Sequence, residues 1–221
     1  MIAEAAAKLF AADPSDDGWR AAGFGDLLAS GGTHAEAHAL LFEAGRHAAA
    51  PALATHLGAN TRFLPLFLAH ETAGHLASLL ALTLAHTSAR TQFGKPLAAQ
   101  QSVQQSLAAL AAEAHAARVA AQSAASVLDS GQDAAFEVPA AALRAKQAAR
   151  AALAIAHQLH GAIGFTAEHP LAPHSLRLKA LQRTPPSEGD FAATIGALVS
   201  ADPWSQLTAS HDKELACPPT P

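Results

Sequence analysis

The chain has 221 residues, enough for one large domain or two small ones with a buried core. Hydrophobic residues make up 50% of it and aromatic residues only 5%, and the excess of alanine and leucine favours helices. The net charge is −4 and the 14 lysines and arginines are scattered, which excludes the basic surface that nucleic acids require.

Three features bear on where the protein resides. Residues 1–12 lack the basic and apolar segments of a secretory signal. The most apolar stretch, residues 63–85, is interrupted by His70 and Glu71, so it resembles an amphipathic core helix more than a membrane span. The single cysteine, Cys217, cannot form an internal disulfide, which suits a reducing compartment. We therefore expect a soluble, cytoplasmic protein with no membrane partner.

The first 57 residues contain short helical segments separated by turn-forming sequences. These turns fall at Asp13-Pro14, at residues 23–25 and at residues 30–32. Thr33 is followed three residues later by Glu36, the pattern of a capping box. The pattern predicts a helix over residues 35–49, ended by Pro51.

Apolar residues at helical spacing predict five more helices along the rest of the chain. Their ends coincide with Gly, Pro and Asp residues that commonly stop helices, such as Gly161 after the third. Alternating runs of β-branched and aromatic residues are absent, so no strand is predicted. The five predicted helices cover residues 64–89, 98–128, 134–160, 170–182 and 189–200.

Long helices joined by short connections favour antiparallel packing. Many alanines on their faces allow the helix backbones to approach closely. We predict an all-α protein, an up-and-down four-helix bundle with a small helical N-terminal region. The predicted boundaries place the N-terminal helical region at residues 1–60, the bundle at 61–200 and a flexible tail at 201–221.

Two motifs at predicted helix ends resemble the signatures of acyl-CoA dehydrogenases. Residues 90–97 read RTQFGKPL and are followed by a Gln-x-Val-Gln run at 101–104. Residues 158–171 read QLHGAIGFTAEHPL. The order of the two motifs and the number of residues between them also resemble those of the family. The resemblance covers residues 64–199, which correspond to the family's C-terminal helical domain.

The resemblance implies that these motifs contact a flavin. In the family, FAD lies across a subunit interface, and the C-terminal domain of the neighbouring subunit contacts its pyrophosphate and adenine. An arginine offers a planar charged fork that suits a diphosphate, and glycines allow close approach of the backbone. The alternative is that the arginine pairs with a carboxylate and the glycines only end a helix. The residues that the resemblance implies for FAD are Arg90, Gln92, Phe93, Gln158, Gly161 and Gly164.

One part of the family pattern is missing from this chain. The family's β-barrel-like middle domain would lie between the two helical regions, yet residues 51–60 lead directly into the first long helix. The resemblance therefore implies a larger acyl-CoA dehydrogenase subunit as partner, which carries the middle domain, or else self-association. Some bacterial steroid-degrading dehydrogenases resemble such an arrangement of unlike subunits, in an α2β2 assembly.

The catalytic base is the least certain part of the pattern. Family members use a carboxylate to remove the α-proton of the thioester, in most cases in an E-G-T motif after the second signature. The nearest match here is Glu188, followed by Gly189 and Asp190. A longer interval from Phe165 would displace this carboxylate, and a helix N-terminus favours acidic residues in any case. Glu71 is a second acidic candidate that a buried ion pair explains better.

The 13 histidines raise the question of a metal site. The pairs His34/His38 and His157/His160 have helical spacing that could present two ligands each. Two nitrogens do not make a site, and no carboxylate or thiolate recurs beside them. We therefore predict no metal, and we expect His86 only to cap the last turn of its helix.

These observations lead to one preferred function and one alternative. The preferred function is that of a subunit of an FAD-dependent acyl-CoA dehydrogenase, which would desaturate a fatty or steroidal acyl-CoA thioester between its α and β carbons. FAD would be shared with the partner subunit, and the enzyme would be active only with that partner. The alternative is an inactive structural or regulatory homologue that binds no flavin.

Overall fold

The structure is a computed structural model that describes residues 1–49, 51–58 and 62–199. The predicted tail at 201–221 lies outside the described residues. The described chain is almost entirely helical, which confirms the predicted all-α fold class. Its α-helices are α1 Ile2–Ala12, α2 Asp16–Ala21, α3 His34–Arg46, α4 Leu53–Gly58, α5 Leu64–Ala89, α6 Gln101–Asp129, α7 Glu137–His160, α8 Leu171–Arg183 and α9 Glu188–Leu198.

Two of the N-terminal helices, α2 and α3, begin where a local side chain caps them. At α3 the Thr33 hydroxyl accepts a hydrogen bond from the Glu36 amide, and the Glu36 carboxylate accepts one from the Thr33 amide. This confirms the predicted capping box. The carboxylate of Asp129, at the end of α6, accepts two more bonds from the amides of His34 and Ala35. One end of α6 therefore holds the start of α3.

The bundle helices lie close to their predicted positions, with two differences at helix starts. Residues 97–99 form a short 3-10 turn, because Gln100 is extended and separates them from α6. The helix α7 begins at Glu137 and not at residue 134, because Ala134 has a positive φ of 44° that no α-helix accommodates. Pro139 then lies in the first turn of α7. Backbone N–H groups in a first turn have no hydrogen-bond partner within the helix, so proline is tolerated there.

A two-stranded hairpin lies between α5 and α6, where no strand was predicted. Strand β1 is Thr91–Gln92, and it pairs antiparallel with β2, Lys95–Pro96. Phe93 and Gly94 form the turn with φ values of 55° and 77°, as a type I′ turn requires. Strands of two residues are too short to show an alternating pattern, so the sequence gives no signal for them.

Alanine fills much of the core between the bundle helices. One cluster joins Leu76 and Leu79 of α5 to Leu110 of α6 and to a row of α7 alanines. A second lies nearer the start of α5, around Leu66 and Ala121. Small side chains on α6 and α7 let these helices pack with their backbones close together, as predicted from the alanine content.

Two glycines bring α3 and α5 into backbone contact. A Cβ on Gly74 would lie 2.0 Å from the carbonyl oxygen of Phe42, and one on Gly45 would lie 2.2 Å from that of Glu71. No other residue fits at either position without moving a helix. The N-terminal core, around Trp19 and Leu41, also includes Phe67 of α5. The short N-terminal helices therefore pack directly on the first bundle helix.

A row of buried polar side chains lies along α5 where α3 and α8 cover it. The Nδ1 atoms of His38 and His70 are 2.8 Å apart, and those of His75 and His174 are 3.0 Å apart. We call this row the polar seam. Its buried members are His38, His70, Glu71, His75 and His174, and the partly exposed Arg177 completes it.

Glu71 is the charged centre of the polar seam. It is 2% exposed, and Arg177 of α8 donates to both of its oxygens, over 2.6 and 3.0 Å. The same guanidinium also donates to the carbonyl oxygen of Pro51. This agrees with the expectation of a paired core carboxylate.

Among the described helices, none has the length and apolar character needed to cross a membrane.

Candidate functional site

The two motifs, far apart in sequence, meet at one end of the bundle. The first motif follows the C-terminal end of α5 and the second follows the C-terminal end of α7, and both border a cleft of about 540 Å³. We call it the motif cleft. Its lining residues are Arg90, Gln92, Leu97, Gln100, Ser102, Val103, Ser106, Gln158, Leu159, His160, Gly161, Ala162 and Ile163.

Arg90 is the residue that ends α5. Its backbone N–H donates to the carbonyl oxygen of His86 and its own carbonyl oxygen accepts from the amide of Leu97, so the backbone is held on both sides of the hairpin. Its side chain is exposed and forms no ion pair with a described carboxylate. The alternative explanation, that Arg90 serves an internal salt bridge, therefore has no partner within the described chain.

Gln92 and Phe93 lie on the hairpin beside Arg90. The exposed Gln92 lines the motif cleft together with Arg90. Phe93 is 91% exposed at the tip of the turn and is not among the cleft's lining residues. A large aromatic ring held in solvent by a turn with positive φ has no role in this chain's own core. Its predicted contact with FAD remains a prediction.

Gln158 and Gly161 border the motif cleft from the side of α7. Gly161 ends α7 with φ 65° and ψ −148°, a backbone conformation that only glycine adopts readily. The space around a Cβ at this position is open, with no atom within 4 Å. The glycine is therefore required by the backbone angle, and the open space leaves the peptide accessible from the cleft.

Gly164 lies differently from Gly161. It is buried, it is absent from the cleft's lining, and a Cβ there would lie 2.8 Å from the Cβ of His160. Packing within the chain therefore already accounts for this glycine. Its predicted role at the cofactor remains a prediction, and the structure brings it to the wall behind the cleft.

The third wall of the motif cleft comes from the start of α6, which contains the run at 101–104 of the first motif but for which no binding role was predicted. Ser102, Val103 and Ser106 face the cleft, and the extended Gln100 precedes them. Positions 102, 103 and 106 share one face of a helix, as their spacing of one, three and four residues requires. The sequence contains this helical spacing, but the spacing identifies a wall of the cleft only once the positions of the other two walls are known.

Three histidine rings lie behind this end of the cleft. His86 stacks on His160 with ring centroids 4.5 Å apart, and His169 packs edge-on against His160 at 5.0 Å. Burial lowers the pKa of both His86 and His160. For His86, the nearby His169 and Arg90 lower the pKa further. Both rings are therefore neutral at pH 7.

The two histidine pairs suggested by sequence spacing do not converge. His34 packs against the rings of Phe63 and Phe67, whereas His38 turns to His70. His157 stacks on Phe165 with centroids 4.4 Å apart, although His160 is only one turn away. Neither pair gains a third ligand among the described residues.

Glu188, the candidate base, lies away from the motif cleft. It is the first residue of α9, and its carboxylate accepts from Arg150 over 3.1 Å. Arg150 precedes His160 by ten residues of α7, which rise about 15 Å. The Ser187 hydroxyl and Asp190 form a capping box at this helix start, an environment that favours acidic residues. Glu188 is not among the lining residues of the motif cleft, and its role as the base remains a prediction.

A second pocket lies at the opposite end of α5. It has a volume of about 280 Å³ and is mostly apolar, with Phe63, Pro65, Val138 and Phe191 among its lining residues. Asp190, two residues after Glu188, also lines it. The 26 residues of α5 span about 39 Å, so this pocket and the motif cleft are separate sites.

Comparison with known proteins assigns the family. Residues 66–183 match the model of the acyl-CoA dehydrogenase C-terminal domain, which is more than half of the chain. No curated protein sequence matches it. The match contains the end of α5, the hairpin, α6, α7 and α8, and therefore every wall of the motif cleft.

Solved structures with the same fold include several dehydrogenases. Butyryl-CoA dehydrogenase from Megasphaera elsdenii has a TM-score of 0.59 at 22% identity, over 74% of this chain and 38% of that one. The ChsE4-ChsE5 complex from Mycobacterium tuberculosis has a TM-score of 0.60 at 24% identity, over 68% and 40%. The FAD complex of PigA has a TM-score of 0.56 at 25% identity, over 59% and 34%.

The chain spans at most about two fifths of the length of these structures. The part that the family model matches is largely helical and includes both motifs. On the strength of the domain match over residues 66–183, the chain belongs to the acyl-CoA dehydrogenase family.

Proposed function

We propose that this chain is a subunit of an FAD-dependent acyl-CoA dehydrogenase and binds the pyrophosphate and adenine of FAD across a subunit interface. The observation that carries the proposal is the meeting of both family motifs in one cleft around an arginine that has no carboxylate partner among the described residues. The partner would carry the middle domain, the isoalloxazine site and the catalytic base. The assembled enzyme would desaturate an acyl-CoA thioester.

The chemistry of the motif cleft supports a phosphate ligand. Arg90 contributes a permanent positive charge, and amides and hydroxyls contribute uncharged donors from Gln92, Gln158 and Ser102. No acidic side chain is among its lining residues. A pyrophosphate carries more than one negative charge and a single guanidinium neutralises only one. The rest of its ligands would come from the partner.

Exposed apolar side chains at the same end support a covering subunit. Phe93 is 91% exposed, Phe165 69% and Ile163 49%. Large apolar groups at the rim of a polar cleft are typical of interaction surfaces. A partner that covers them would close the cleft over the dinucleotide. The partner is a larger acyl-CoA dehydrogenase chain or, in the case of self-association, a second copy of this one.

Similar proteins support both parts of the proposal. PigA was solved as an FAD complex, and the ChsE4-ChsE5 structure is a complex of two named chains. In this chain only 17 residues, 47–63, separate α3 from α5, too few for a middle domain. A subunit of this size therefore fits an assembly in which another chain completes the flavin site.

Co-expression with a dehydrogenase encoded next to it tests the proposal. The purified complex should show the absorbance of bound flavin and oxidise an acyl-CoA with an artificial electron acceptor. The chain by itself should bind FAD weakly. Two chains that never co-purify, or a colourless complex, would favour the inactive structural or regulatory homologue. Flavin bound stoichiometrically by the chain without another gene product would instead indicate self-association.

A further inference from the structure

Three histidines from three separate elements converge next to the motif cleft. His86 belongs to the last turn of α5, His160 is the last residue of α7, and His169 lies in the segment before α8. One ring nitrogen from each lies within 4.8 Å of the other two. Because the three residues belong to different elements, no helical spacing in the sequence predicts the cluster.

Two of the three rings present a buried nitrogen without a protein partner. The Nε2 atoms of His86 and His160 have no hydrogen-bond partner among the described residues. His160 is 4% exposed, and its Nδ1 lies 2.8 Å from the carbonyl oxygen of Ala156. An Nδ1–H that donates to this carbonyl leaves the lone pair on Nε2, which is the arrangement found in metal-binding histidines.

We propose that His86, His160 and His169 together bind one divalent transition-metal ion, for which Zn²⁺ is the best match. Neutral imidazole nitrogens are ligands that Zn²⁺ prefers, and three of them with an open fourth position form a common coordination set. The Nε2 atoms of His86 and His160, which no described group contacts by a hydrogen bond, would supply two of the three lone pairs.

The present positions of the three rings show which side chains must move when the ion binds. Tetrahedral Zn²⁺ with bonds of about 2.0 to 2.1 Å needs nitrogens about 3.4 Å apart. The rings of His86 and His160 are stacked, so His86, the more exposed of the two, turns to bring its Nε2 toward the ion. His169 now accepts from the Leu171 amide through Nδ1 over 3.1 Å. Coordination through Nε2 moves its proton to Nδ1 and ends that bond.

The ion would tie together the elements that carry both motifs. His86 is one helical turn before Arg90, and His160 is directly followed by Gly161. A link between these positions and His169 fixes the ends of α5 and α7 relative to the start of α8. The site does not depend on the proposed flavin function, because all its proposed ligands lie in this chain.

Titration of the metal-free full chain with Co²⁺ tests the site. We expect one Co²⁺ per chain, with the intense visible absorption of a tetrahedral ion, and its loss on addition of one equivalent of Zn²⁺. The variants His86→Gln and His169→Gln should each weaken binding by more than the roughly 10- to 100-fold that loss of an orienting group costs. Circular dichroism checks that both variants keep their helices.

Two controls separate the cluster from histidine content in general. His115→Gln removes an exposed histidine of α6, and His157→Gln removes the ring one turn before His160. Both should leave the Co²⁺ spectrum and affinity unchanged. An X-ray anomalous signal from Zn²⁺ between the three rings would establish the site without any variant. A chain that gives no tetrahedral spectrum, or that loses it only in His157→Gln, would overturn the proposal.

Discussion

The polar seam and the motif cleft both concentrate polar side chains, but they satisfy them differently. In the seam, Glu71 is enclosed by Arg177, and the histidines pair with each other across helix contacts. In the cleft, Arg90 is exposed and has no ion-pair partner among the described residues. The phenylalanine next to the cleft, Phe93, is exposed as well.

The difference separates structural groups from binding groups. Pairing within the chain stabilises a buried polar atom, because leaving it unpaired costs more than the pair contributes. A permanently charged group left open on a cleft costs little while water surrounds it, and its unused donors can bind a ligand. Substitutions in the seam should therefore lower stability, whereas those in the cleft should lower binding alone.

The largest expected loss of stability follows from breaking the Glu71–Arg177 pair. Arg177→Met leaves the carboxylate of Glu71 buried without its cation, and we expect the free energy of unfolding to fall by about 3 to 5 kcal/mol. Urea denaturation followed by circular dichroism measures it. The matched control is Arg150→Met, which breaks the more exposed Arg150–Glu188 pair and should cost no more than about 1 kcal/mol. Equal losses in the two variants would show that the seam is not the structural centre.

Acid should weaken the polar seam. Burial lowers the pKa of His38 and of His174 to about 4, with nearby charged groups adding to the shift. A histidine whose pKa falls on folding stabilises the protein above its unfolded pKa of about 6.5, and that contribution is lost as pH falls toward 4. Between pH 7 and pH 5, protonation of each of these two histidines should lower the free energy of unfolding by about 2 kcal/mol.

Urea denaturation at the two pH values measures this loss. In His38→Gln the loss of stability between pH 7 and pH 5 should be smaller by the amount that His38 contributes. A stability that is unchanged between pH 7 and pH 5 would contradict the burial of neutral histidines in the seam.

The substitution Gly74→Ala tests whether the backbones of α3 and α5 are in contact at Gly74. The added Cβ would meet the carbonyl oxygen of Phe42, and we expect a net loss of about 1 to 3 kcal/mol in the free energy of unfolding. Gly196→Ala in α9 is the control, because no atom lies within 4 Å of its Cβ position. There alanine should stabilise the helix by about 0.5 to 1 kcal/mol. Stabilisation by both substitutions would show that the helices do not touch at Gly74.

The smallest expected effect is that of Glu188→Gln. The pair with Arg150 is partly exposed, so stability should change by less than about 1 kcal/mol. Flavin content of the assembled complex should stay the same, since Glu188 does not line the motif cleft. Loss of acyl-CoA oxidation with retained flavin would instead assign this carboxylate as the base.

Local patterns and motifs predicted much of this molecule. The Thr33–Glu36 capping box and the span of α5 follow from side chains within a few residues of each other, so the sequence contains them directly. The meeting of Arg90 with Gly161 was expected because both belong to signatures of one family. The structure adds the third wall, on α6, which depends on how that helix is rotated.

What the sequence did not predict depends on contacts between distant residues. His75 and His174 are 99 positions apart, and only the crossing of α5 and α8 brings them together. The cluster of His86, His160 and His169 arises in the same way, from three element ends. The hairpin around Phe93 was missed because its strands have two residues each.

Flavin affinity of the co-expressed complex with Arg90→Ala tests the central claim most directly. Loss of a charged hydrogen bond of about 1.5 to 3 kcal/mol predicts FAD binding weaker by roughly 10- to 150-fold, with the unfolding midpoint of the chain unchanged. Arg150→Ala, which removes an arginine of α7 that does not line the cleft, should leave the flavin affinity as it is. Equal flavin affinity in the Arg90→Ala and unsubstituted complexes would contradict the proposal that this cleft binds the pyrophosphate of FAD.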